Sequence, residues 1–570
     1  MKTVQDLKRK LKEIDHKSYS LYKELKGAYV FDGFVLMIDK VQGDPFASPS
    51  RVRVVLSEQE HGFQKKIRET AWTQRSLEDT ILRTWNRVMA GKQQKSGSGN
   101  SGKIGVCPCG QEILKRHAVE FTKENTLEGS FLVGFPAKGR SILAGELEKV
   151  LCEMVPDMVT KVFQAKSYDA SKLEEQYKKA NQRKKLRDAL TENHLVGFIE
   201  NGAILPRESG VSQRPLKDAI PFESPKTLEV SIDVGDGVTL KGMGIPEGIT
   251  VIVGGGYHGK STLLEAIQLG VYDHILGDGR EFVVTKEDAV KVRAEDGRNI
   301  CGTDIQMFID HLPNNKDTKH FYSENASGST SQASNTVEAM EAGTSVLLID
   351  EDTSATNFMV RDGLMEKIVP KGMEPITPFI SWIRALYEEK GISTVIVVGS
   401  SAAYLEVADV ILQLDNYKVK DITKEAKAIL SQHEATCLQQ EKNIPQIDFN
   451  RIPEKIDMSY KGRDMKVKTT GTDTIMLNHE VIDVRYLEQM VDWGQTTGVA
   501  YILKYLLEKK VDHKQTMKEL VDDIYCQIEK QGFSSVIPGG YSAGFPVLPR
   551  KMEVLAAWNR FRKLKLKRVK

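Results

Sequence analysis

The run Gly254-Gly255-Gly256-Tyr257-His258-Gly259-Lys260-Ser261-Thr262 has the residue types and spacing that hold a phosphate chain. It fits G-x-x-x-x-G-K-[ST], in which glycines let backbone N–H groups curl around phosphate oxygens and a helix N-terminus adds positive potential. In that chemistry Lys260 reaches the β- and γ-phosphates and the Ser261 hydroxyl ligates Mg2+. Ninety residues after Lys260, four apolar residues lead into Asp350-Glu351. A buried strand ending in two carboxylates supplies the other half of a hydrolytic site. Asp350 holds the metal, mostly through its waters, and Glu351 polarises the attacking water as general base. The catalytic pair is therefore Lys260 and Glu351, with Ser261 and Asp350 on the metal.

Both half-sites need a framework. The β-branched run 249–253 reads as a strand and 261–269 as a helix, the order the phosphate motif requires. From 227 to 415 strands alternate with helical patterns, as in a sheet with helical crossovers. Ahead of that, 1–28 reads as a helix through Leu7, Leu11 and Ile14, and YVFDGFVLMIDKVQ as a strand. KQQKSGSGNSGK (92–103) reads as a flexible insertion, and 158–190 as a charged helical stretch. HLVGFIENGAILPRESG reads as two strands about an Asn-Gly turn. By composition Asn325–Ser334 is a loop. Helices are expected at 484–509 and 514–531, then a last basic one. With a Pro-rich boundary near 205–220, the expected domains are α+β at 1–215, an α/β core at 216–420 and a mostly helical domain at 421–570.

With 40% hydrophobic and 28% charged residues the chain is an ordinary globular sequence. It has no run of about 18 apolar residues, so neither a membrane span nor a membrane partner is expected. Asp6, Glu13 and Asp15 are unlike a matrix-targeting peptide, which is poor in acids. Six cysteines are scattered, and Cys107-Pro-Cys109 lacks a second pair at zinc spacing, so free thiols in a soluble intracellular setting are expected. The net charge of +2 hides an asymmetry: residues 1–200 hold 35 Lys and Arg against 26 Asp and Glu, and residues 550–570 hold 9 against 1. Basic ends around an acidic centre suit polyanions.

Longer strings narrow the class. KVQGDPFASPSRVRV (41–55), GFIENGAILPRESGVS (198–212), VSIDVGDGVTLKGMGIPEG (230–248), GGGYHGKSTLLEAI, ENASGSTSQA, LLIDEDTSATNFMVRD and EPITPFI (374–380) resemble a soluble family of ABC-class ATPases found in bacteria and protists. The resemblance spans almost the whole chain. It implies a P-loop ABC-type core, ATP and Mg2+ as ligands, and a head-to-tail homodimer sandwiching two ATP molecules. Ser327-Gly328-Ser329, which stands 21 residues before Asp350 counted from Ser329, takes the place of the family's Ser-Gly-Gly loop. That loop opens a helix and contacts the γ-phosphate held by the other protomer. SATN (354–357) stands where the family has SALD. Gln306, 46 residues after Lys260, is in range for the glutamine that senses the γ-phosphate, with Asp304 equally placed. Two departures are plain: the loop reads ASGST rather than LSGGQ, and Ser400-Ser401 stand where a switch histidine is expected. Phe222 is the aromatic candidate for stacking on the base.

One branch of that family is similar to a kinetoplastid mitochondrial RNA-editing accessory protein. This implies RNA and other RNA-processing proteins as partners, and a mitochondrial location. The RNA candidates are the basic residues Lys178, Lys179, Arg183, Lys184, Lys185 and Arg187, and the tail residues Arg560, Arg562, Lys563, Lys565, Lys567 and Arg568. Trp558 and Phe561, set among the tail cations, would add base stacking. The function expected is ATP hydrolysis in a homodimer, coupled to RNA binding or remodelling. The alternative, motivated by the missing histidine and the altered loop, is a slow or non-hydrolysing ATP-gated scaffold. A transporter engine or a DNA-repair clamp would need docking spans or a long coiled coil, and neither pattern occurs.

Overall fold

FVLMIDK and SRVRVVL alternate apolar and polar residues, and both are strands, Phe34–Lys40 and Ser50–Leu56, paired antiparallel. The computed structural model describes residues 2–91, 96–361, 368–369, 373–432, 440–458, 465–537 and 545–567. Its chain separates into one unit of residues 1–181 with 531–548, and a second of 182–530 with 549–570.

The first unit is built on a seven-stranded sheet. Helix Ala71–Met89 packs Trp85 edge-on against Phe131 and Phe163, with ring centroids 5.5 and 4.9 Å apart. Three local expectations are corrected. The helix expected over 1–28 is Val4–Ile14, capped by Thr3, followed by a tighter turn at Tyr19–Leu25, because the backbone turns left-handed at His16. The single strand after it is a hairpin, Gly27–Phe31 and Phe34–Lys40, turning at Asp32-Gly33. Within the supposed flexible insertion, residues 96–103 are woven into the fold. The Ser98 and Asn100 N–H groups donate to Ala137 O and Pro45 O, and Ser101 is fully buried. Lys92–Lys95 lie outside the described residues.

The second unit holds the parallel sheet. Its order is Val290–Val292, Val346–Asp350, Ser393–Val397, Ile249–Gly254, Val410–Asp415 and Lys418–Asp421, the last strand antiparallel. The central strands read as near-continuous Val, Ile and Leu because both faces are covered. A four-stranded antiparallel sheet, Glu229–Gly235, Val238–Pro246, Leu195–Glu200 and Val283–Thr285, packs against Leu186 and Leu190 of the long helix Ala170–Glu192. The turn at Asn201-Gly202 does not make the expected hairpin, since Leu195–Glu200 pairs with Val238–Pro246 and Val283–Thr285. Further on, a three-stranded sheet (Val467–Thr470, Thr474–Leu477, Glu480–Asp483) precedes helices Trp493–Tyr505, Met517–Gln531 and Lys551–Asn559. The first of these starts later than expected because Asp492 and Gln495 form a capping box.

Among the described residues no helix is long and apolar enough to cross a membrane.

Candidate nucleotide site

The strand Ile249–Gly254 runs into the glycine loop and then into helix Lys260–Leu269. Gly259 has φ +97°, and a Cβ there would meet the Tyr417 ring at 2.6 Å, so both conformation and space demand glycine. Tyr257 also has positive φ and is fully exposed. His258 closes the loop onto the next turn: its Nδ1 accepts from Asn416 N at 2.9 Å and its carbonyl from Tyr417 N at 3.0 Å. Lys260 Nζ donates to Gly254 O at 2.5 Å and Gly255 O at 3.0 Å, so the ammonium is held over the loop's own carbonyls.

Asp350 is buried at the end of its strand and accepts from Asp352 N at 3.1 Å. Ser261 is exposed on the first turn of the helix, and both line one cavity of about 480 Å³. A hydroxyl and a carboxylate facing one roomy, water-accessible space suit a hard cation that keeps most of its waters, so the residues fit Mg2+. Among the described residues no cluster of three His, Cys, Asp or Glu could hold a metal by itself.

Glu351 is engaged. Its Oε2 accepts from Gly399 N at 2.5 Å and Ser400 N at 3.0 Å, and its Oε1 accepts from Ser400 Oγ at 2.7 Å. Burial pushes its pKa up, but the Ser400 and Gly399 donors outweigh it and hold the carboxyl below the usual range. Ser400, where a histidine is expected, thus grips the Glu351 carboxylate through its hydroxyl and N–H, with Gly399 adding a second N–H.

Asn325–Ser334 is not a loop throughout. Ser327 is the N-cap of helix Gly328–Ala342, and Ser331, Gln332 and Ser334 are fully buried. Small side chains are there for close packing: a Cβ on Gly328 would meet Asp296 Oδ1 at 3.3 Å and Ala355 Cβ at 3.5 Å. Ser327 is exposed and bonds Thr330 Oγ1 at 3.0 Å, whereas Ser329 is buried. Gln306 is misplaced for the expected role. It follows Ile300–Thr303, a strand of a separate two-stranded sheet, and its N–H donates to the buried Asp304, which also accepts from Asp448 N. The strand beside the acid strand is Val290–Val292, with Val292 opposite Ile349. The loop reaching the Asp350 end of the sheet is thus Arg293–Asp296, whose Ala294 N donates to Thr353 O at 3.1 Å.

For the base, Phe222 is buried and lines a small pocket with Ile220, Gly259, Thr262 and Tyr417. Sequence reasoning missed Tyr417, 42% exposed beside the phosphate loop. An aromatic at a strand-to-strand turn directly after VILQLD was the signal that could have found it.

The RNA candidates separate. Arg183 and Arg187 are corrected: both pair with Asp273, with side chains 1% and 9% exposed. Arg560 is corrected for the same reason: it is buried against Glu295 and bonds Asn335 Oδ1 at 3.1 Å. Trp558 and Phe561 are core residues. Lys184 pairs with Asp188 one turn on. Lys178 and Lys185 are exposed and Lys179 half-buried. Arg562, Lys563, Lys565 and Lys567 are exposed, Lys563 pairing with Glu480 and Arg562 donating to Glu324 O. Arg568 lies outside the described residues.

Three family models match in chain order: "ATPase of the ABC class N-terminal" at 4–166, an ABC ATPase "P-loop domain" at 169–450, and "MRB1590 C-terminal domain" at 466–567. The uncharacterized protein MJ1628 of Methanocaldococcus jannaschii is 35% identical over 247 residues, covering 42% of this chain and 54% of that protein. The chain thus matches about half the length of this relative. Two solved structures are similar at 14% identity. One is the ADP conformation of MJ1267, from an ABC transporter, covering 36% of this chain and 94% of its own at a TM-score of 0.23. The other is cbiO1 of Clostridium perfringens, part of the ABC transporter complex cbiONQ, covering 41% and 91% at a TM-score of 0.24.

Proposed function

We propose, since this chain belongs to the ABC-class ATPase family, that it binds and hydrolyses ATP as a head-to-tail homodimer and couples nucleotide state to RNA. The observation that carries the reading is the single edge of the parallel sheet at which the phosphate loop, Ser261, Asp350 and Glu351 emerge together. Lys260 leaves the Gly254 and Gly255 carbonyls for phosphate oxygens. Ser261 and Asp350 would hold Mg2+, which would supply positive charge to the phosphate chain. Glu351, already ionised, orients the attacking water once it leaves Ser400. Ser327 and the N–H groups at the start of its helix face the γ-phosphate of the partner copy. Residues 216–420 hold the nucleotide in this scheme, while 1–215 and 421–570 carry the polyanion-binding surfaces and contacts to other RNA-processing proteins. The RNA work, with the mitochondrial location that goes with it, is supported by the MRB1590-type C-terminal match and by the exposed cations at 562–567.

Glu351→Gln tests the reading. It should abolish phosphate release while retaining ATP in a dimer detectable by light scattering, and normal turnover in that variant would refute it. A second reading, an ATP-gated scaffold that scarcely hydrolyses, is favoured by one observation: the Glu351 carboxylate is fully occupied by Gly399 and Ser400. Single-turnover phosphate release separates the two.

A further inference from the structure

Cys107 and Cys109 flank Pro108 in the first unit, and the nucleotide chemistry makes no use of them. They differ in access: Cys107 is 1% exposed, whereas Cys109 is only half-buried. Asn86, on helix Ala71–Met89, reaches both residues. Its Nδ2 donates to Cys107 O at 2.7 Å and lies 3.9 Å from Cys109 Sγ. Cys109 Sγ is itself 4.0 Å from that carbonyl oxygen. The Cα atoms of residues two apart are at most ~7 Å from each other, so little backbone movement separates these thiols from disulfide geometry.

Cationic groups attend both sulfurs. Arg116 Nη1 is 3.8 Å from Cys107 Sγ. Burial lowers the Arg83 pKa, but Asp79 and then Cys109 more than offset it, so the Cys109 sulfur lies in the field of that guanidinium. The acids beside them are Asp79, bound by Arg83, and Glu112, whose carboxylate lies against Gly110. An amide donor and a guanidinium favour the thiolate, which is the nucleophilic form. The other described cysteines lack this setting. Burial pushes the Cys152 and Cys301 thiols up to about 11, and Cys526 is exposed with no second cysteine beside it in the chain. Among the described residues no third His, Cys, Asp or Glu joins Cys107 and Cys109 in a metal-holding group.

We propose that Cys107 and Cys109 form a reversible dithiol–disulfide pair, oxidised by a low-molecular-weight disulfide RS–SR. The Cys109 thiolate attacks one sulfur of RS–SR; a Cys109–SR bond forms and RS− leaves. The Cys107 thiolate then attacks Cys109 Sγ, displaces the second RS− and closes the Cys107–Cys109 bond. Both cysteines are oxidised, and the reagent is reduced to two RSH that carry away the cysteine protons. An excess of thiol runs the same steps backward. Access sets the order, since a reagent reaches Cys109 while the buried Cys107 is reached only by its neighbour. The assignment stands whether or not the chain binds ATP.

In the reduced full-length protein, iodoacetamide should modify Cys109 roughly tenfold faster than Cys526, the exposed thiol of the same chain. The protein is next equilibrated in mixtures of reduced and oxidised glutathione, free thiols are blocked, and the peptides are weighed. As oxidised glutathione rises, the peptide holding Cys107 and Cys109 should lose the mass of two hydrogens, with no glutathione attached. In Cys107→Ser the reaction should stop with glutathione on Cys109, and dithiothreitol should remove it. Thermal unfolding recorded in parallel shows that each comparison is made on folded chains. Alkylation of Cys109 no faster than that of Cys526, or glutathione retained on Cys109 in the wild type, overturns the pair.

Discussion

Replacing Ser400 by alanine asks whether the grip on Glu351 restrains hydrolysis or assists it. The hydroxyl supplies one of three donors, at 2.7 Å to an ionised carboxylate. A charge-assisted hydrogen bond of this kind is worth about 1.5–3 kcal/mol when buried. Glu351 is only partly buried, so solvent screening reduces this to about 1 kcal/mol. The two N–H donors of Gly399 and Ser400 remain in the variant, so the carboxylate stays in place in most molecules. A loss of about 1 kcal/mol enlarges the released population about fivefold. If release precedes water activation, single-turnover phosphate release under saturating Mg·ATP should rise about fivefold in Ser400→Ala, with ATP affinity unchanged. Rapid-quench measurement on the full chain reads both. A fall of about tenfold would mean that Ser400 acts on the reacting phosphate in place of the absent histidine. An unaltered rate would mean that the hydroxyl does not limit Glu351. Either result refutes the restraint.

Removing Arg560 leaves Glu295 buried without its partner, so Arg560→Ala should cost the second unit about 3–5 kcal/mol in urea unfolding, and a loss under about 1 kcal/mol would count against the buried pair. Burial raises the Glu295 pKa, but Arg560 and Arg298 more than offset it and hold it below 4.5. Its contribution is therefore present above about pH 4.5 and lost as pH falls through the lowered folded value; Glu295→Gln should flatten that acid limb, and an identical limb in both proteins would contradict it. Because Arg560, Trp558 and Phe561 are core residues, RNA binding is properly tested by Arg562, Lys563, Lys565 and Lys567 together changed to alanine. The slope of log K against log salt should fall by about 0.7 for each phosphate no longer neutralised, and an unchanged slope would exclude the tail.

The phosphate loop and the acid strand were legible because each is a local pattern with local consequences: a strand, a glycine turn and a helix start within twenty residues. Gln306 misled because spacing along the chain says nothing about which strand borders the acid strand. That border is fixed by pairing of Val292 with Ile349, 57 residues away. Arg183, Arg187 and Arg560 looked like a nucleic-acid face since charge in sequence reads as exposure. Asp273 and Glu295, distant in the chain, are what draw them inside. The Ser/Gly stretches failed in the opposite way. Small polar residues suggest linkers, yet Ser101 and Ser331 are buried because their size permits close approach of backbone to backbone.

Neither unit is continuous in the chain, and that has a consequence for synthesis. The first unit needs residues 531–548, where Val547 bridges Arg116, before it is whole. The second needs 549–567: Trp558 is fully buried there, and Asn559 Oδ1 accepts from Arg451 at 2.7 Å. A chain emerging from the ribosome therefore exposes an unfinished core until these last segments have been translated. The parallel sheet itself is complete by Asp421, but the core packed around Glu295 and Arg451 waits for Asn559 and Arg560. A nascent or truncated polypeptide would thus present open apolar surface to chaperones until both cores close.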